Sequence, residues 1–251
     1  MDQERVGNFI KKLRMKEKFN RKKLIISIII KTIAILSSIY GIIKTYFGPL
    51  SFTYFTTLSN LFISIILLIF LFKDIYCILT KKEIIFKNYL YIIKFLATIS
   101  ITLTFFVYLT ILAPTLEGGI INSYLSNDAG SLCVHFITPI LSIIDFLFFD
   151  YWYKSKNSHS IYAIIPPLLY VLFVVIASSL GLRWGEMYAP YNFLNYHAET
   201  GWFGLDLSLI GWETLGIGVF YMLIILSVLF IIIGRLFLWL RNKINNNVKG
   251  I

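Results

Sequence analysis

Six long apolar runs, joined by polar connections, constrain the fold of this chain more than any other feature of its sequence. They cover approximately residues 24–46, 52–72, 89–113, 131–153, 161–182 and 214–240. Each run is close to the roughly 20 residues that an α-helix needs to cross about 30 Å of hydrocarbon. Charged residues make up only 14% of the chain, against about 25% in soluble globular proteins. The sequence therefore predicts an all-α fold, a polytopic membrane bundle of six transmembrane helices.

The distribution of lysine and arginine predicts the orientation of this bundle. Nine of these residues lie within residues 1–23, and most of the others lie in or beside the second connection, the fourth connection and the C-terminal segment. The connections 47–51, 114–130 and 184–213 contain none. Because cytoplasmic loops are enriched in Lys and Arg, both termini of this multi-pass cell-membrane protein are expected in the cytoplasm. The predicted divisions are a basic juxtamembrane segment, the six-helix domain and a cytoplasmic tail, at residues 1–23, 24–240 and 241–251.

Several function classes are not favoured by the sequence. The net charge of +10 does not indicate nucleic-acid binding, because the cations cluster at one predicted membrane side and not on a face with base-stacking aromatics. There is no Gly-rich phosphate loop, no Cys or His spacing that suits zinc and no GxSxG turn. Cys77 and Cys133 are expected at opposite membrane surfaces and hence unpaired. Neither cofactor nor metal is expected, and membrane lipids are the expected partners.

The fourth apolar run carries a stripe of polar side chains. Successive members are separated by four, three, four and three residues, so on an α-helix they share one face. An ionisable residue inside a membrane is a functional-site hypothesis by default. The stripe consists of Ser131, His135, Thr138, Ser142 and Asp145.

A second polar face begins the second run, where Thr53, Thr56 and Asn60 align and Thr57 lies at the margin. Thr56 and His135 are each four or five residues into their predicted helices from the same side, so they are expected at similar depth. A neutral imidazole beside a hydroxyl can activate it as a nucleophile, and an amide such as that of Asn60 can stabilise an oxyanion. A structural role, bonding back to the preceding turn, stays open for Thr56.

The charges deeper in the membrane predict ion pairs. Asp145 follows His135 by ten residues, roughly 15 Å along a helix, which is too far to orient the imidazole. Lys31 in the first run is expected at the depth of Asp145, so we predict a buried ion pair between them. Arg235 and Asp150, near the inner helix ends, either pair or extend to the interface.

Three short motifs resemble those of a bacterial family of six-span membrane proteins. They are YFTTLSN (Tyr54–Asn60), the stretch His135–Pro139 with Asp145 downstream, and YAPYNFL (Tyr188–Leu194). That family is distantly similar to the androgen-induced membrane threonine hydrolases, which cleave fatty-acid esters of hydroxy fatty acids. The resemblance implies that Thr56 is the nucleophile and His135 the base. The adjacent Thr57 leaves the register open by one residue.

The predicted function is an intramembrane hydrolase of lipid fatty-acyl esters, with a Thr nucleophile and a His base. The connection 184–213 is longer than most loops and is expected to cover the mouth of the bundle. One alternative is a non-enzymatic lipid or small-molecule binding protein, or a transporter with a polar path along the fourth helix. Another is an accessory protein whose polar residues only join helices. The predicted catalytic and supporting residues are Thr56 and His135, with Thr53, Thr57, Asn60, Thr138, Ser142, Asp145 and Tyr191.

Overall fold

The computed structural model describes residues 21–115, 119–150, 152–210 and 215–249. Within these residues, six helices are long and apolar enough to cross a membrane, which confirms the predicted all-α bundle and is the arrangement of a multi-pass membrane protein. Residues 1–20 of the predicted basic segment, and residues 250–251 of the predicted tail, lie outside the described ranges. The helices are α1 Arg21–Lys44, α2 Phe55–Thr80, α3 Asn88–Leu112, α4 Gly130–Phe149, α5 Asn157–Ser179 and α6 Val219–Lys249.

Short elements precede α2, α4 and α6. A 3₁₀ turn at Pro49–Thr53 leads into α2, and a helix of two turns at Gly119–Leu125 precedes α4. Strands β1 (Leu205–Ile210) and β2 (Leu215–Ile217) pair antiparallel before α6. All of them lie at the end of the bundle where α2 begins. We name it the Thr56 end, and the opposite end the Asp150 end.

At the Asp150 end, α2 and α6 extend about two turns beyond their apolar runs. The second run was predicted to stop near residue 72, but α2 continues to Thr80. Asp74, which composition assigned to a connection, is buried in this extension. The predicted boundary at residue 240 falls inside α6, where Arg241 is also buried. Charged side chains therefore enter the helix bundle at this end.

Small residues allow α1 and α4 to pack closely beside the polar stripe. A Cβ atom added to Gly41 would lie 2.6 Å from Cγ1 of Val134, and one added to Gly130 would lie 2.5 Å from Cβ of Lys44. Glycine at both positions thus permits a backbone approach that larger side chains would prevent. The contact holds α4 against α1 at Val134, the residue that precedes His135.

An alternating chain of buried charges, which we name the ion chain, joins four helices. Nζ of Lys31 on α1 lies 2.9 Å from Asp74 on α2 and 2.6 Å from Asp145 on α4. Nζ of Lys94 on α3 lies 2.5 Å from Asp145 and 2.8 Å from Asp150. All five side chains are at most 4% exposed. The predicted Lys31–Asp145 pair is confirmed.

Arg235 and Asp150 do not pair, and a different arginine joins α6 to the end of the ion chain. Asp150 pairs with Lys94, whereas Arg235 is exposed. Arg241, which follows Arg235 by six residues in α6, donates from Nε to the carbonyl of Asp150 at 3.0 Å and from Nη2 to that of Tyr153 at 2.6 Å. This residue attaches α6 to the segment that follows α4.

Replacing Lys31 with Met tests how far the fold depends on the ion chain. The change leaves Asp74 and Asp145 buried without their shared cation, which should destabilise the bundle by about 3–5 kcal/mol. Lys44→Met, on the same helix, is the control because the pair that Lys44 forms with Asp128 is exposed and its contact with the Tyr40 ring is also at the surface, where water screens such contacts. The measurement is thermal unfolding of both variants in detergent. Equal midpoints would contradict the expectation.

Candidate functional site

A cavity opens at the Thr56 end, between α2, α3, α5 and α6 and under the connection that precedes α6. The centre of a water-sized sphere can reach about 40 Å³ of it, within about 500 Å³ of space between atoms that includes the open mouth. Most lining side chains are apolar, and none of the described ones carries a charge. Five lining residues bear hydroxyl groups, which are the polar features of an otherwise hydrocarbon wall. They are Thr56, Thr104, Tyr108, Tyr170 and Tyr191.

The start of α2 is held by Tyr170, so the position of Thr56 depends on α5. No side chain of α2's own N-terminus caps the helix. Instead the Tyr170 hydroxyl donates to the carbonyl of Thr53 at 3.0 Å and accepts the N–H of Phe55 at 3.2 Å. The predicted support residue Thr53 donates its hydroxyl to the Leu50 carbonyl and accepts Nε1 of Trp184. It contacts the helix start and not the cavity.

Thr56 lies beside the covering connection on the cavity wall, which Tyr191 of that connection also lines. Burial raises the pKa of Tyr191 to about 12, although the hydroxyl and the backbone N–H of Thr56 partly offset this. The phenol therefore stays protonated near neutral pH and acts as a donor and not as a base. Tyr191, one of the predicted supporting residues, shares the cavity wall with Thr56, and His135 does not line that wall.

Of the two adjacent threonines, Thr56 lines the cavity, whereas Thr57 is buried and does not. Successive residues of a helix point about 100° apart, so only one of the two can face a given neighbour. The choice between Thr56 and Thr57 that the sequence left open therefore depends on the rotation of α2 about its axis. This rotation turns Thr56 toward the cavity.

His135 lies behind a lining residue rather than in the cavity wall. Its ring stacks on that of Tyr108, with centroids 3.6 Å apart and an interplanar angle of 8°. Both residues belong to π-helical turns, Tyr108–Leu112 in α3 and Cys133–Ile137 in α4, and such turns recur at functional sites. The Tyr108 hydroxyl is held by Ser131 at 2.7 Å. Nδ1 of His135 is buried without a hydrogen-bond partner among the described residues.

Asn60 connects the turn that bears Thr56 with the turn that bears His135. Its Nδ2 donates to the carbonyl of Thr56 at 2.9 Å and to that of Val134 at 3.1 Å. Both amide hydrogens are thus engaged, so Asn60 acts as a link and not as the free oxyanion donor that was expected. Within the part of the chain that the structure describes, no hydrogen bond joins Thr56 to His135 directly.

The remaining stripe residues make contacts between helices. The Thr138 hydroxyl bonds to that of Ser37 on α1 at 3.2 Å, and the Ser142 hydroxyl donates to the Thr138 carbonyl at 2.7 Å. Asp145 belongs to the ion chain. The stripe below His135 is therefore occupied by packed and paired groups. In the described ranges, no group of three or more His, Cys, Asp or Glu side chains is arranged to hold a metal ion.

Sequence reasoning did not identify Tyr108 or Tyr170. Each lies within an apolar run; Tyr170 has no polar neighbour at helical spacing, and Tyr108 has only Thr104 at i−4, which was not singled out either. Lys94 and Asp74 were also not singled out. For these a signal exists, because a charge within or just beyond an apolar run needs a partner at the same depth.

The chain was compared with models of known protein families, with curated proteins and with solved structures, and it matches none of them.

The role of Asn60 as a link can be tested by substitution with Leu. Asn60→Leu removes two hydrogen bonds to carbonyls in a buried site, which should cost about 1–3 kcal/mol in unfolding free energy. Ser64→Ala, one turn along the same helix face, is the control, because the Ser64 hydroxyl is buried without a partner among the described residues. This control should be neutral or stabilising. The unfolding midpoints of the two variants are measured in detergent. A midpoint for Asn60→Leu equal to or above that of Ser64→Ala would contradict the linking role of Asn60.

Proposed function

We propose that this protein binds the acyl chain of a membrane lipid in the cavity and hydrolyses an ester of that lipid at Thr56. The observation that carries the proposal is the cavity itself, an apolar space with Thr56 on its wall and without a charged lining residue in the described ranges. Hydrocarbon is the matching ligand chemistry, because burying apolar surface is favourable and burying an unpaired charge is not. The adjoining hydroxyl groups suit the polar end of an acyl group.

The convergence of the three sequence motifs supports the hydrolytic step. The ring of Tyr191 in YAPYNFL contacts the ring of Tyr54 in YFTTLSN with centroids 5.8 Å apart. Asn60 of YFTTLSN donates to the carbonyl of Val134, next to His135. In the proposed reaction the Thr56 oxygen attacks the ester carbonyl carbon while His135 accepts the hydroxyl proton. The imidazolium returns this proton to the departing alkoxide, and water then cleaves the acyl-threonine, regenerating both groups.

The Tyr108 ring sets a condition on this reaction. It stacks on His135 and also lines the cavity, so an occupant that displaces the ring is needed to bring imidazole and Thr56 together. The same observation favours a second candidate function, lipid binding without catalysis, in which Tyr108 remains in place. Turnover separates the two candidates.

The proposed orientation follows from charge. The Lys and Arg residues favour a cytoplasmic location for the Asp150 end and both termini. The Thr56 end then faces the opposite side of the cell membrane. The cavity lies within the first turns of α2 and the last turns of α3, where acyl carbonyl groups meet the hydrocarbon.

Filling the cavity tests the binding step. Val171 lines the cavity, so Val171→Phe should weaken binding of a fluorescent hexadecanoyl probe by at least about tenfold if it removes the space for a few methylene groups, each worth about 0.8 kcal/mol. Val228→Phe on the exposed face of α6 is the matched control and should bind normally. Affinities are measured in nanodiscs with variants that elute as monodisperse species. Equal affinities would place the probe elsewhere.

Substitution of the reacting groups tests the hydrolytic step. Thr56→Ala should abolish both labelling by a fluorophosphonate and hydrolysis of a fluorogenic fatty-acyl ester, and His135→Ala should lower turnover by about 10²–10⁴-fold, as for loss of a general base. Thr80→Ala at the far end of α2 is the control. Loss of activity with Thr57→Ala but not Thr56→Ala would move the nucleophile by one residue. Probe binding by a wild type that neither labels nor turns over would leave the lipid-binding function alone.

A further inference from the structure

Tyr191 is fixed over the cavity by three other aromatic rings. Its ring lies edge-on to Tyr54 with centroids 5.8 Å apart, tilted to Tyr170 at 6.3 Å and stacked on Phe193 at 5.4 Å. A phenol carried by such a cluster has its direction set before any ligand arrives. Its use in binding therefore costs little conformational entropy.

The other hydroxyl groups of the cavity wall are committed to the protein. That of Tyr170 bonds to Thr53 and Phe55, and that of Tyr108 to Ser131 and to the carbonyl of Ser123. The Thr104 hydroxyl lies 2.7 Å from that of Ser59. Removing any of them would leave a buried partner unsatisfied, which is unfavourable. These groups are structural.

Thr56 and Tyr191 differ because both line the cavity and neither side-chain hydroxyl is committed to a buried group elsewhere in the described part of the bundle. An incoming group with a lone pair can therefore approach either hydroxyl without leaving a buried partner unpaired. Thr56 is assigned the attack on the carbonyl carbon in the proposed reaction. The phenol is the donor that remains.

We propose that Tyr191 recognises the polar group of the ligand, with its O–H donating a hydrogen bond to the carbonyl oxygen of the bound acyl group. This inference rests on the proposed binding of an acyl chain in the cavity. A carbonyl oxygen is an acceptor only and matches a phenol donor. A carboxylate would have to enter a wall whose described residues hold no cation. The ligand class is accordingly an uncharged oxygenated lipid, such as an ester, and not a hydrocarbon or a fatty-acid anion.

The test uses three competitors of sixteen carbons that the protein does not hydrolyse: methyl tetradecyl ketone, hexadecane and palmitate. Each displaces the fluorescent hexadecanoyl probe from protein in nanodiscs, at matched mole fraction in the bilayer so that membrane partitioning cancels. For the wild type, the ketone should bind about 2- to 12-fold more tightly than hexadecane, the value of one net hydrogen bond. Palmitate at neutral pH should bind more weakly than the ketone.

Tyr191→Phe should abolish the preference for ketone over hexadecane and leave the affinity for hexadecane unchanged, since the ring remains. Tyr54→Phe is the matched control, because Tyr54 touches the Tyr191 ring but does not line the cavity, and it should keep the preference. Thr56→Val removes the competing hydroxyl in a second background and should also keep it. This last variant answers the question even where Tyr191→Phe is unstable.

The outcomes separate this inference from the function on which it rests. A ketone preference that survives in Tyr191→Phe overturns the role of Tyr191 and leaves the lipid-binding function intact. Loss of the preference in Thr56→Val instead assigns recognition to Thr56. If neither ketone nor hexadecane displaces the probe from the wild type, acyl-chain binding in the cavity is overturned, and the role of Tyr191 with it.

Discussion

The pairing of buried charges is the constraint on which the rest of this bundle depends. Five charged side chains on four helices lie in a region with almost no solvent, and each would be unstable there without an opposite charge within reach. Because Lys31 and Lys94 each bridge two carboxylates, neither α1 nor α3 can rotate about its axis without breaking a pair. Asp145 on α4 pairs with both lysines, so the rotation of α4 is fixed as well, and with it the direction of the face that carries His135. The ion chain thus orients a site that it does not touch.

The two ends of the bundle use different polar groups, with consequences for what each can do. At the Asp150 end, full charges are matched to one another and their contacts are short. At the Thr56 end, neutral hydroxyl groups and one uncharged cavity prevail. Neutral hydroxyl groups exchange partners at much lower cost than buried ions. A ligand site is therefore compatible with the Thr56 end, whereas the interior of the ion chain suits a structural role.

Depth along a helix was predictable from the sequence, and rotation was only partly so. The Lys31–Asp145 pair followed from counting residues into oppositely directed helices, because rise per residue is a local property. The same count brought Thr56 and His135 to one level. It did not reveal the Tyr108 ring that stacks on His135, since contact between aromatic rings on different helices depends on how those helices pack. Asp74 was assigned to a connection because hydropathy falls where α2 continues.

By itself, the sequence determined six membrane-length helices, their order, the polar face of α4 and the depth of its charges. The length of an apolar run and the helical period are properties of short segments, so they can be determined from the sequence alone. Only the tertiary structure decided that Thr56 rather than Thr57 lines the cavity, that Tyr191 lines it too and that Tyr170 holds the start of α2. Those outcomes depend on the rotation of each helix and the path of one long connection, which are set by packing between residues far apart in the chain.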